Sequence, residues 1–272
     1  MSTRSEAAAV ERFSTWYRAG SSPVMAAVER DALGADYGAT GYTTREQADV
    51  IARHLRLSRG QVLLDVGAGS GWPGLYLSDT TGCRVVGTDL PFEGLQRAQA
   101  RARGDGLADR ASFVVASGRR QPLRPAAFDA IVHTDVLCCL GPKLSVLRMC
   151  RRLLRPGGRL AFTTIKVASG LAGNRLRRAC QAGPVEVSVR EAYSDMVAHA
   201  GFTEVLEIDV TPEYAAAQRA WFQAFARHEV EVSRLWSPAD FAASQADRRK
   251  SLEAIEEGLR QRSIFVAVRP SR

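Results

Sequence analysis

The chain has 272 residues, 46% hydrophobic and 24% charged, a globular composition with enough apolar material for a sizeable core. No apolar run approaches the ~20 residues that span a bilayer. The N-terminal stretch MSTRSEAAAVERFSTWYRAG carries acidic residues and lacks the apolar core of a secretory signal. Five cysteines without a CxxC pair favour reduced thiols in a cytoplasm over a disulfide framework or a zinc site. The net charge of +8 raises nucleic acid as a partner. Against it, 34 of the 37 basic residues are arginines, as in a GC-rich bacterial genome, and they are scattered along helix-like segments.

Residues 1–35 read as amphipathic helix, with Val10, Phe13, Trp16 and Tyr17 on one face. Residues 36–44 read as loop. Thr44 is then placed to cap a helix over REQADVIARHL, with Gln47 three residues on completing a capping box. From residue 61 strands alternate with helices. Apolar runs at 61–66, 84–89, 112–116, 128–133 and 159–165 read as strands, and FEGLQRAQARA and KLSVLRMCRRLL as helices, the second ended by PGG. A sixth strand is expected at about 203–210 and a last one at 263–268. The stretch 212–260 between them is helical in pattern, with Trp221, Phe222 and Phe225 clustered. Such alternation implies a parallel sheet with right-handed crossovers and helices on both faces.

The chemistry sits in Asp65-Val66-Gly67-Ala68-Gly69-Ser70-Gly71, which leaves an apolar strand and enters a helix. Its glycines let the backbone turn sharply and let a ligand approach where a Cβ would obstruct. Asp89 ends the next strand, where a carboxylate can accept both hydrogen bonds of a ribose diol. The pair fits a nucleoside-containing cofactor without a bound pyrophosphate. Gly69, Gly71 and Gly74 match the dinucleotide pattern GxGxxG literally. In that fingerprint the glycines begin at the strand end, which here would need a glycine at position 72. Trp72 stands there, and Asp65 lies inside the strand two residues ahead of the first glycine, so both argue against it. No Gly-Lys-Ser/Thr follows, which excludes a P-loop.

VLLDVGAGSGWPGLYLS resembles the first motif of class I S-adenosylmethionine (SAM)-dependent methyltransferases. VVGTD resembles their acidic second motif, and RRLLRPGGRLAF the segment before their fifth strand. The resemblance covers roughly residues 40–210. It implies a Rossmann-like seven-stranded α/β sheet of order 3-2-1-4-5-7-6 with strand seven antiparallel. The chain is then one methyltransferase domain. An N-terminal helical cap spans 1–44, a SAM-binding core 45–210, a helical insertion or lid 211–262, and the last strand 263–272.

The resemblance also implies roles. Gly67, Ala68, Gly69 and Gly71 would approach the methionine part of SAM. Asp65 would hold that loop and the amino group, Asp89 the ribose, and Leu90 the adenine. Ser117 and Gly118 stand where the family often has an acidic adenine contact. Tyr42 and Thr43 would close over SAM or simply form a turn before the Thr44 cap. Tyr37, Tyr42 and Trp72 could flank the sulfonium. His133 is the candidate general base, or lines the cofactor pocket through its backbone. Asp135 would bind an ammonium acceptor or, the preferred reading, cap the next helix.

The Asn/Asp-Pro-Pro-Tyr/Phe motif of adenine- and glutamine-methylating enzymes is missing at this point. The expected reaction is transfer to nitrogen, oxygen or activated carbon of a small molecule, without a metal. An RNA or protein methyltransferase, and a non-catalytic SAM-binding protein of the same fold, are the alternatives. The long insertion could be a lid, a homodimer interface, or both.

Overall fold

The computed structural model describes residues 4–20, 22–34 and 36–271. Three helices lead into the sheet: α1 (Arg4–Ala19), α2 (Pro23–Leu33) and α3 (Arg45–Leu55). The third starts at the expected capping box. Thr44 Oγ1 accepts the Gln47 N–H at 3.3 Å, and Gln47 Oε1 accepts the Thr44 N–H at 3.4 Å. Then follow β1 (Val62–Val66), α4 (Gly74–Thr81), β2 (Arg84–Asp89), α5 (Phe92–Gly104), β3 (Ala111–Val115) and β4 (Phe128–Thr134). After a 3-10 turn at Leu137–Cys139 come α6 (Lys143–Leu153), β5 (Leu154–Val167), α7 (Gly173–Gln181), α8 (Tyr193–His199) and β6 (Thr203–Asp209). The chain ends with α9 (Thr211–Arg227), α10 (Glu229–Leu235), α11 (Pro238–Glu256) and β7 (Arg260–Val268).

The strands form one sheet of order β3-β2-β1-β4-β5-β7-β6. Strand β7 runs antiparallel to β5 and β6, and the other pairings are parallel. The central strands carry apolar residues on both faces of the pleat because both faces are covered. Leu64, Ile131, Phe162 and Phe265 pack toward α6 and α8. Their neighbours Leu63, Ala130, Ala161 and Val266 pack toward α3 and α4. One step in sequence is therefore one change of face.

Two boundaries differ from the sequence reading. The Pro156-Gly157-Gly158 segment, expected to end a helix before a strand at 159, already belongs to β5. Gly157 (φ 76°) donates its N–H to Arg269 O at 2.9 Å, and the β4–β5 register shifts between Phe128 and Ala130. This local bulge lets the strand begin at once. At the other end, β7 begins at Arg260 and not at residue 263. Arg260 and Arg262 pair with Val167 and Ile165, so two arginines open a strand expected to be apolar from its start.

The N-terminal helices and the insertion share one core. Met25 and Val28 of α2 pack with Trp221 and Phe225 of α9, Val232 of α10 and Phe241 of α11. Trp16 of α1 lies against Phe225 and Trp236, with ring centroids 6.2 and 5.9 Å away. Segments some 200 residues apart thus form a single cap. Phe225 is fully buried at its centre. Phe225→Ala is expected to cost about 3–5 kcal/mol. Urea unfolding measures the loss, and limited proteolysis should find the new cleavages in α9–α11.

Candidate active site

Strand β1 delivers the glycine loop to the carboxyl edge of the sheet, where the order reverses about β1. This is the switch point at which open α/β sheets bind ligands. The N–H groups of Gly67 and Ala68 both donate to Thr88 O, at 2.7 and 3.0 Å. Gly69 N–H donates to Asp89 Oδ2 at 2.8 Å, so the loop and the acidic end of β2 form one unit. Gly69 has φ 51°, and a Cβ there would lie 2.5 Å from the Tyr17 hydroxyl; helix α1 rests directly on the loop.

Asp89 Oδ1 accepts the Leu90 N–H at 2.8 Å. Each carboxylate oxygen still has room for a second donor. Burial raises this carboxyl to about 6, against the lowering effect of the two N–H bonds. Behind it, Asp65 Oδ2 accepts the Gly74 N–H at 3.1 Å and so ties the loop to α4. Its Oδ1 is buried without a partner, and burial raises this carboxyl to about 8.

A second loop closes from the N-terminal side. Buried Glu29 of α2 accepts the N–H groups of Tyr37, Gly38 and Ala39 at 2.8, 3.0 and 2.9 Å. Trp72 stacks on Tyr37 at 3.9 Å between centroids and donates its Nε1–H to Thr43 O at 3.0 Å. Between the two loops, the sheet edge and the cap lies a cavity of about 640 Å³, within the range of small-molecule sites. Its wall includes Gly67–Ser70, Asp89 and Leu90 from the sheet, and Phe13, Trp16, Trp221 and Arg248 from the cap.

The methyltransferase-domain family matches residues 64–162. Methyltransferase GfsG of Streptomyces halstedii is 38% identical over 117 residues, 43% of this chain and 42% of that protein. The 27-O-demethylrifamycin SV methyltransferase of Amycolatopsis mediterranei is 30% identical over 190 residues, 68% of this chain and 69% of that protein. The chain belongs to the class I SAM-dependent methyltransferases. In several curated relatives of this methyltransferase, GfsG among them, the match spans under half of the relative's length. Among solved structures, phosphoethanolamine N-methyltransferase 2 of Haemonchus contortus, in complex with phosphomonomethylethanolamine and S-adenosylhomocysteine, shares the fold. Its TM-score is 0.76 at 17% identity, over 91% of this chain and 58% of that one.

SAM is the cofactor of this methyltransferase, and the residues present suit it. Two open oxygen positions on Asp89 match a ribose diol, and the glycine loop leaves the backbone bare. Of the residues expected at the site, Tyr42, Thr43, Gly67, Ala68, Gly69, Asp89, Leu90, Gly118 and Asp135 line the cavity, as does Trp72. Asp65, Gly71, Ser117, His133 and Tyr37 do not line it. Asp65 stands behind the loop, 1% exposed, where it orders backbone and does not meet the cavity. Ser117 closes a turn: its hydroxyl accepts the Arg119 N–H at 3.1 Å and its carbonyl accepts Gln121 Nε2–H at 3.0 Å. Tyr37 supports Trp72 from behind.

Two expectations need correction. His133 is not placed to act as a base. Its ring is wholly buried against Phe162, 4.8 Å between centroids, and neither nitrogen has a hydrogen-bond partner. Burial lowers the imidazole to about 3, so it is neutral. The side chain at 133 points into the core beneath the sheet edge, and the cavity begins one residue later at Thr134. Asp135 caps no helix, since the 3-10 turn after it has no side-chain cap. Its carboxylate is instead gripped by Arg262: Nε donates to Oδ1 at 3.0 Å and Nη2 to Oδ2 at 3.0 Å.

Arg262 is fully buried and spends its remaining donors on Gln47 Oε1 at 2.8 Å, Thr43 Oγ1 at 2.7 Å and Thr163 Oγ1 at 2.9 Å. Sequence reasoning missed Arg262, Glu29 and Tyr17 as parts of the site. The RQR triplet before the last apolar run was the available signal, because arginines alternating into a strand must each face something.

Two variants separate these roles. His133→Leu is expected to leave methyl transfer unchanged and not to lower Tm, since it removes two unsatisfied buried nitrogens. A loss of turnover at unchanged SAM affinity would restore the base. Arg262→Met leaves the half-buried Asp135 without its cation and should cost about 3 kcal/mol in urea unfolding, with much of the loss recovered when Asp135→Leu is added.

Proposed function

We propose that this methyltransferase moves the methyl group of SAM to a small organic acceptor held between the sheet edge and the helical cap. The observation that carries this reading is one continuous cavity whose wall joins the glycine loop and Asp89 to Trp16, Trp221 and Arg248 of the cap. An acceptor roofed by α1, α9 and α11 is enclosed on the scale of a small molecule. The printed name of the Amycolatopsis relative, whose substrate is a demethylrifamycin, supports the same class.

In this reading Asp89 holds the ribose diol, Leu90 and Gly118 flank the adenine, and the Gly67–Gly69 backbone faces the methionine part. Tyr42 and Trp72 offer aromatic faces to the cationic cofactor. The sulfonium is already activated toward in-line displacement, so the protein's work is alignment, worth several orders of magnitude in rate. No histidine lines the cavity among the described residues. The acceptor's proton therefore leaves to solvent or to an acceptor group, and not to an imidazole.

A macromolecular acceptor would reveal itself by binding that falls steeply with salt. Transfer from labelled SAM to small acceptors, insensitive to salt, supports the proposal. Asp89 supplies a second test. Ionised Asp89 is the form that accepts the diol and faces a cationic cofactor, and its free-protein value is about 6. Below that value binding must expel a proton, so SAM affinity falls about tenfold per pH unit, whereas it is flat above it. Calorimetry across pH 5 to 8 reads this directly. Asp89→Asn should weaken binding at pH 8 and flatten the profile. An unchanged affinity removes Asp89 from the cofactor site.

A further inference from the structure

Two arginines, Arg260 and Arg262, are buried beside this cavity and a third, Arg248, is half-buried in its wall; only one of the three has a carboxylate. Arg262 has Asp135. Arg260, two residues earlier on β7 and 1% exposed, has none. Its Nη1 donates to Ala182 O and to Ser251 Oγ, its Nη2 donates to Tyr214 OH at 2.7 Å, and its Nε has no partner. Arg248 of α11 makes no hydrogen bond or ion pair among the described residues. Its guanidinium lies 3.9 Å from the Phe225 ring centroid and within 5.8 Å of those of Trp16 and Trp221, and its Nε is buried without a partner. Both residues line the cavity. Burial pulls the Arg248 value down, and the group that opposes this is the Tyr42 hydroxyl.

A desolvated cation without a counter-charge is among the costliest things a fold can hold. The acids of the cavity wall do not supply one. Asp135 belongs to Arg262, Asp89 to the glycine loop, and exposed Asp247 pairs with Lys250. Tyr42 stands in the field of both guanidinium groups. The nearby walls are apolar, with Ile165, Phe13, Trp16 and Trp221, and the buried Trp221 Nε1–H is a further unused donor.

We propose that the acceptor is an organic anion, an apolar body bearing a carboxylate or phosphate that is held between Arg248 and Arg260. The proposal rests on the methyltransferase reading of the same cavity. The aromatic walls take the body of the acceptor, and the two guanidinium groups take its charge. They need not touch the methylated atom; they fix its distance from the sulfonium. Gly183 lies flat on Arg260, where a Cβ would sit 2.9 Å from the guanidinium carbon, so the loop of residues 181–184 sets the position of that guanidinium group.

The test titrates benzoate, phenyl phosphate and neutral benzamide into the protein, with and without saturating S-adenosylhomocysteine. The expected result is binding of the anions, with benzamide about tenfold weaker or worse. Arg248→Met should cut anion affinity about tenfold or more while leaving S-adenosylhomocysteine affinity unchanged. This variant removes no hydrogen bond and is expected to fold. Arg260→Gln, checked by its melting curve, should act in the same direction. The preference between benzoate and phenyl phosphate tells carboxylate from phosphate.

Equal binding of benzamide, no anion binding, or anion affinity indifferent to Arg248→Met overturns the proposal. An equal loss of S-adenosylhomocysteine affinity in Arg248→Met also overturns it, by giving the arginine to the cofactor's own carboxylate. If the wild-type protein fails to bind S-adenosylhomocysteine, the methyltransferase reading falls. The titration of cofactor-free protein then still decides the claim about the arginines.

Discussion

The fork between Arg262 and Asp135 is the contact on which the geometry of the site depends. It lies beneath the cavity and joins five segments: β7 through Arg262 itself, the end of β4 through Asp135, β5 through Thr163, α3 through Gln47, and the loop through Thr43. Asp135 has φ 54°, a left-handed conformation that costs a residue other than glycine of order 1–3 kcal/mol. Arg262 and Thr163 hold it there. Gln47 Oε1 serves the capping box of α3 and Arg262 at once, so the start of α3 and the floor of the cavity cannot move independently. Val136 continues the chain from this point and packs over Gly67. A buried ion pair adds little net stability, but its directional bonds can select one arrangement. Here that arrangement fixes the distance between the glycine loop and the segment carrying Tyr42 and Thr43.

Charge is distributed unevenly along the cavity. Two buried carboxyl groups, Asp65 and Asp89, lie at the glycine loop, and both are raised by burial. Two guanidinium groups without acids lie at the cap. A cationic cofactor relieves the first imbalance by favouring ionised Asp89, the carboxyl that faces the cavity, and it adds positive charge to a cavity that already holds two cations without acids. Inside a low-dielectric enclosure that repulsion is felt much more strongly than in water. An anionic acceptor offsets it, which makes occupation of the two halves mutually supportive.

Much of the sheet was legible because buried parallel strands are continuous apolar runs, and the glycine motif and Asp89 stand at fixed offsets from them. The last strand was legible only from Ser263 onward, since its first three residues are polar. Those residues hold the two arginines that organise the floor and the cap side of the cavity. His133 illustrates a second limit. Strand alternation says that 133 and 134 face opposite ways, but the sequence does not say which face is core and which is cavity. Glu29 shows a third. Its carboxylate satisfies three backbone N–H groups from a loop eight to ten residues on, a side-chain-to-loop contact with no periodic or motif signature in the sequence.

The division between what relatives can and cannot teach follows the chain itself. The family match covers residues 64–162, and within it lie Gly67, Gly69, Asp89, Leu90 and Gly118, the sheet-edge half of the wall, proposed above to hold the cofactor. Trp16, Tyr42, Trp221, Arg248 and Arg260 all lie outside it. A sheet edge that must present a glycine turn and an acid to one invariant nucleoside leaves little freedom. A cap built from the N-terminal helices and the β6–β7 insertion has no such constraint, so its side chains are free to answer to the acceptor. Family membership therefore identifies the methyl donor. The uncompensated charge in the cap is the feature of this chain that speaks to the acceptor.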